Sequence, residues 1–99
     1  MRVVYTAEAE TDLEAIADYI ASDNPKRALS FVSDLRKICI DLAATPQAYP
    51  RLLRYRDFEV RRRSHGNYLI FYRINGERIE ILHIIHAARD YEAILFPDD

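Results

Sequence analysis

The pair Asn75-Gly76, set between the runs YLIFYRI and ERIEILHIIH, constrains this chain more than any other feature. Both runs are rich in β-branched and aromatic residues, and Asn-Gly supplies the two positive-φ positions of a type I′ turn, so the spacing predicts a tight antiparallel hairpin. With Ile74 opposite Glu77, Arg73 pairs with Arg78, Tyr72 with Ile79, Ile70 with Ile81 and Tyr68 with His83. Alternation then puts Tyr68, Ile70, Tyr72, Ile74, Ile79, Ile81, His83 and Ile85 on one apolar face. Leu69, Phe71, Arg73, Arg78, Glu80, Leu82, Ile84 and His86 make the other, mixed face. FEVRRR adds a third strand, and with Phe58 and Val60 turned to the core, Arg61 and Arg63 join Arg73 and Arg78 on the open side.

Upstream the periodicity changes from two to between three and four. RVVY, residues 2–5, reads as a strand, and Thr6 can cap a helix whose first turn holds Glu8 and Glu10. Ala9, Leu13, Ile16, Ala17 and Ile20 form one stripe to about Ser22. Asp23-Asn24-Pro25 stops this helix and starts another, with Asn24 as N-cap and Pro25 in the first turn. Phe31, Val32, Leu35, Ile38, Cys39 and Leu42 line its apolar face. So short a link forces the two helices into an antiparallel hairpin. Residues 45–57, broken by Pro46 and Pro50, read as a loop, and DYEAIL as a short C-terminal helix. The expected architecture is one α+β domain over residues 1–99. Its order is β-α-α-β-β-β, with the helical hairpin packed on an antiparallel sheet.

A 99-residue chain with 49% hydrophobic and 30% charged residues has globular composition. No apolar run approaches bilayer length and MRVVYTAEAE lacks the blocks of a signal peptide, so a cytoplasmic location is expected. The single cysteine, Cys39, lies in a helical apolar pattern and reads as a buried structural thiol. A net charge of −2 conceals a gradient. Residues 1–23 hold Glu8, Glu10, Asp12, Glu14, Asp18 and Asp23 against Arg2 alone, whereas arginine outnumbers acid nine to four between residues 51 and 89. Such a local field can attract an acidic partner whatever the total charge.

The histidines of HIIHAARD do not suit a shared metal ion. On a regular strand His83 and His86 point to opposite faces, so no metal site and no cofactor are expected. His83 reads as a hydrogen-bonded core histidine beside Tyr68, with an acid/base role as the alternative. His86, opening toward the arginines, is the better functional candidate. Arg61, Arg63, Arg73 and Arg78 have the paired donors that bind phosphate, or they form a solvated face with Glu59 and Glu80. There is no glycine-rich phosphate loop and no nucleophile-elbow context around any serine.

TAEAETDLEAIADYIASDNPKRALSFV and VRRRSHGNYLIFYRINGERIEILHIIHAARD together resemble the RelE/ParE toxin superfamily of bacterial toxin-antitoxin modules, and more closely its ParE branch. The likeness lies in the Asn-Pro break between two helices, Arg after Val, the aromatic FYRI strand and the closing His-x-x-Arg-Asp. It implies a type II toxin that poisons DNA gyrase without enzymatic chemistry and is neutralised in a hetero-oligomer by a ParD-like antitoxin. It implies neither a membrane nor sequence-specific DNA contact by this chain. The related nuclease branch cuts mRNA on the ribosome. If this chain did so, Arg61, Arg73, His86, Arg89 and Tyr91 would be the catalytic set. That branch often has an arginine where Leu69 stands here, and the only lysines are Lys26 and Lys37, both in the second helix. An inactive relative kept as a binding module is a third reading. The antitoxin would meet Leu69, Phe71, Arg73, Arg78, Leu82 and Ile84, unless the chain's own YEAILF folds over them, and the target would meet Arg61, Arg63, His86 and Arg89.

Overall fold

A computed structural model of the chain describes residues 1–52 and 59–97. It contains β1 (Arg2–Tyr5), α1 (Ala7–Ala21), α2 (Pro25–Asp41), β2 (Val60–His65), β3 (Tyr68–Asn75), β4 (Arg78–His86) and α3 (Tyr91–Leu95). The expectation for Phe58, and the loop from Leu53 to Asp57, lie outside the described residues. Among the described residues no helix is long and apolar enough to cross a membrane.

The helix boundaries follow the capping chemistry. Thr6 Oγ1 accepts the Ala9 N–H at 3.1 Å, and Asn24 Oδ1 accepts the Arg27 N–H at 3.1 Å ahead of Pro25. Each satisfies a backbone donor that the first helical turn leaves without a partner. The hairpin is antiparallel: Arg36 near the end of α2 grips Glu10 near the start of α1 with two hydrogen bonds of 3.2 and 3.3 Å.

The strands form one sheet in the order β1-β4-β3-β2. β2, β3 and β4 are antiparallel as expected, and β1 adds to β4 as a parallel edge, Arg2 beside Arg78 and Tyr5 beside Ile81. The β3–β4 turn is centred one residue later than the Asn-Gly rule puts it. Gly76 alone takes positive φ (+61°), Asn75 stays in the strand, and Asn75 pairs with Arg78. A turn with glycine at its first central position needs only one positive φ. The β2–β3 turn repeats the solution with Gly66 at φ +57°.

That displacement alone moves pairing by two positions and leaves every side chain on its expected face, with Tyr72 now opposite Ile81. A β-bulge beyond that pair changes parity. Phe71 pairs with His83, Ile70 with Ile84, Leu69 with Ile85 and Tyr68 with His86. Ile84 and His86 therefore face the helices, and Ile85 faces away, the reverse of the regular-strand expectation. His83 does not stand beside Tyr68.

The bulge is held by α1. Thr6 Oγ1 donates to the carbonyls of Ile81 (2.9 Å) and Leu82 (3.0 Å). Asp12 Oδ2 accepts the Ile84 N–H at 2.9 Å and the His83 Nδ1–H at 2.8 Å, which fixes the His83 tautomer.

Two clusters result. On the helix side Ala9, Leu13 and Ile16 of α1 meet Phe31, Leu35 and Cys39 of α2 over Ile70, Tyr72, Ile79, Ile81 and Ile84. Burial pushes the Cys39 thiol up, as suits a structural role. The Tyr72 hydroxyl donates to the Pro46 carbonyl at 2.6 Å, and burial raises it to about 12. On the far side Val60, Leu69, Phe71 and Ile85 are packed against Leu52, Leu82 and the C-terminal Tyr91, Ile94, Leu95 and Phe96.

Two outcomes follow for stability. Asp12→Ala leaves the Ile84 N–H and His83 Nδ1–H without their acceptor and should cost about 1–3 kcal/mol in urea unfolding, with Asp12→Asn between it and the wild type. An Asp12→Ala midpoint equal to the wild type would show that the bulge stands without this contact. Arg61→Ala should cost about 2 kcal/mol by the same measurement, because the buried guanidinium donates to the carbonyls of Gln47 (3.2 Å) and Tyr49 (2.8 Å).

Candidate functional site

The mixed sheet face expected to lie open is covered by the chain itself. Asp90 caps α3, which lays Tyr91, Ile94 and Leu95 across the sheet, with Phe96 following. The Tyr91 ring lies 5.1 Å from that of Phe71, and its hydroxyl accepts from Arg62 Nη1 at 3.3 Å. Phe71 is fully buried and Leu69 is 8% exposed, so neither offers much surface to a partner. Ile84 is on the opposite side, carried there by the bulge. Leu82, Arg73 and Arg78 remain partly exposed on this face. Glu80 binds both arginines, to Arg73 Nε at 3.3 Å and to Arg78 Nη2 at 3.4 Å.

The four arginines expected on one face are divided. Val60 pairs with Arg73 and joins the far cluster, so Arg61 and Arg63 point to the helix side. The expectation took only one sheet face to be buried, whereas both are, and Val60 satisfies its apolar character on the second. Arg61 becomes an internal brace: besides the two carbonyls it meets Glu59 at 3.3 Å. Arg63 stacks on Tyr49, its guanidinium carbon 5.1 Å from the ring centre.

His86 and Arg89 come together in a feature that the periodicity did not reveal. A cleft of about 690 Å³ opens between α1, the start of α2 and the ends of β3 and β4. Ala15, Ile16, Ile20 and Ile84 form its floor and Phe31 and Tyr68 a wall, and its lining also includes Asp12, Tyr19, Arg27, Asn67, His86 and Arg89. The Phe31 and Tyr68 rings lie 5.4 Å apart, the Tyr68 and His86 rings 5.2 Å apart edge to face, and Arg27 sits 5.0 Å over Phe31. Arg27 and Phe31 are four apart on α2, a spacing that puts them on one helix face and was legible in the sequence. Burial raises the Tyr68 phenol, so it stays a donor near neutral pH.

A second groove, of about 330 Å³, runs between the first turn of α1 and α3, past Thr6, Glu8, Leu82 and His83 to Ile94, Leu95 and Phe96. No group of three or more metal-ligating side chains occurs among the described residues. The residues that a nuclease would need stand in three places. Arg61 is buried under the 47–49 segment, Arg73 and Tyr91 lie on the far sheet face, and His86 and Arg89 line the cleft.

The family of the ParE toxin of the type II toxin-antitoxin system parDE matches residues 3–91. Nine chains of solved structures match as well. Among them is one from the chromosomal ParDE toxin-antitoxin system of P. aeruginosa, 27% identical, with a TM-score of 0.69 over 87% of this chain and 95% of that one. No curated protein matches. With a family match across nearly all of its elements, and a solved relative that shares its architecture, the chain belongs to the ParE toxin family of type II toxin-antitoxin systems.

Proposed function

We propose that this protein arrests growth by binding DNA gyrase, and that a ParD-like antitoxin silences it by binding it directly. The observation that carries a binding rather than a catalytic reading is the separation of Arg61, Arg73 with Tyr91, and His86 with Arg89 into three places. Acid/base cleavage of a phosphodiester needs its proton donor, its acceptor and its phosphate-stabilising cation within hydrogen-bond reach of one substrate. Arg61 also has an internal task that a substrate would have to displace. Family membership supports the same reading, since poisoning of gyrase without enzymatic chemistry is what the ParE resemblance implies.

The antitoxin surface follows from what α3 leaves accessible. An acidic amphipathic segment would seat its apolar side in the groove between α1 and α3, against Leu82, Ile94, Leu95 and Phe96, and its carboxylates toward Arg73 and Arg78. Glu80 already balances part of that charge, so the arginines contribute orientation and association rate more than raw affinity. For the target, His86 and Arg89 line the cleft, with Arg89 exposed to solvent.

The test is the purified chain, freed of antitoxin, in gyrase supercoiling with cleavage-complex trapping, and in parallel on programmed ribosomes. Trapped gyrase with intact mRNA is expected; cut mRNA with unaffected gyrase would overturn the reading. Arg73→Ala with Arg78→Ala should weaken antitoxin binding about tenfold, roughly 1.4 kcal/mol, and leave the thermal midpoint of the free toxin nearly unchanged. Affinity equal to that of the wild type in calorimetry would move the antitoxin to another surface.

A further inference from the structure

The cleft at the end of the sheet has a composition that antitoxin binding at the opposite groove does not use. Its floor is aliphatic, the partly exposed Tyr68 forms its wall with the largely buried Phe31 behind it, and Tyr19, 76% exposed, stands at its mouth. Cationic groups gather beside these rings. Arg89 has no side-chain partner among the described residues, although Arg27 does, lying 3.8 Å from Asp34. His86 Nδ1 accepts the Ala88 N–H at 3.1 Å, so in the neutral ring Nε2 carries the proton and is a donor. The one acid in the lining, Asp12, is already engaged: its Oδ2 takes the His83 and Ile84 protons.

A flat apolar body with an anionic group at one end satisfies all of these features together. Base rings stack on aromatic walls whatever their sequence, and a phosphate accepts paired donors from guanidinium and a further one from imidazole. The volume is that of a pocket for a single small ligand, within the usual range of about 300–1,000 Å³.

We propose that the cleft binds a single nucleotide unit, its base against the partly exposed Tyr68 and the exposed Tyr19 and its phosphate at Arg89 and His86. The unit can come from a free mononucleotide or from an unpaired position in a DNA strand, and the chemistry of recognition is the same. Nothing in this inference depends on the identity of the toxin's target.

The experiment titrates the full chain with deoxyadenosine monophosphate, deoxyadenosine, inorganic phosphate and a short single-stranded oligodeoxynucleotide, followed by calorimetry and amide chemical shifts. Deoxyadenosine monophosphate is expected to bind and to shift resonances around Tyr68, His86 and Arg89. Deoxyadenosine and phosphate should each bind at least about tenfold more weakly, because each lacks one half of the recognition. Arg89→Ala, at an exposed position, should lower affinity about tenfold, whereas Lys37→Ala, which removes an equal charge from the outer side of α2, should not. Tighter binding of the oligonucleotide would identify a DNA strand as the source, and weaker binding a free nucleotide. The proposal fails if deoxyadenosine monophosphate produces no shifts at millimolar concentration, if phosphate alone binds as tightly, or if Lys37→Ala loses as much as Arg89→Ala. It fails also if an acidic helical peptide occupies the cleft and deoxyadenosine monophosphate does not. Failed gyrase trapping with intact nucleotide binding would overturn the target assignment and leave this site standing.

Discussion

The carboxylate of Asp12 holds the rest of the structure in its observed form. A β-bulge leaves backbone groups without ladder partners, and a buried N–H without an acceptor costs free energy comparable to a lost hydrogen bond. Asp12 answers one of these at Ile84, and Thr6 answers the carbonyls of Ile81 and Leu82 from the cap of the same helix. The same short stretch of α1 thus starts the helix, docks it on β4 and fixes where β4 changes parity. Every residue after His83 owes its face to that arrangement.

The layout of the candidate surfaces depends on that change of parity. It delivers Ile84 to the helix-side core and Ile85 to the second cluster, so both sheet faces bury apolar residues. It also swings His86 away from the arginines of the hairpin and into a cleft with Tyr68 and Arg89. A regular strand would have put His86 on the face of Arg73 and Arg78. The bulged strand produces two separate surfaces, one edged by α3 and one closed by the helical hairpin. That division is what supports the proposed binding reading over a catalytic one.

α3 shows how little chain suffices to redefine a face. It is five residues long with no fully buried residue of its own, yet together with Phe96 it closes over Phe71 and Leu69. Such a short helix has no stability in isolation. It persists because Tyr91 stacks on Phe71 and receives a hydrogen bond from Arg62, and because Asp90 caps it.

Much was legible in the residues themselves. The caps at Thr6 and Asn24, the helical stripes, the hairpin between the long strands and the element order are local, written in spacings of two and of three to four and in the chemistry of single turns. The burial of Cys39 and the value of YEAILF as a cover were readable for the same reason. Pairing across space was not. Whether Asn75 or Gly76 opens the turn is a contest between two turn types that differ little in energy, and the bulge beyond it is stabilised by a helix some seventy residues earlier in the chain. A period-2 pattern carries no mark of an inserted residue. Which segments are helices and strands, and in what order they come, was set by preferences that act between near neighbours. The directions of Ile84 and His86 were settled by long-range contact, a carboxylate and a hydroxyl brought to β4 from the other end of the fold, and that of Arg61 by the burial of Val60 on the face that α3 covers.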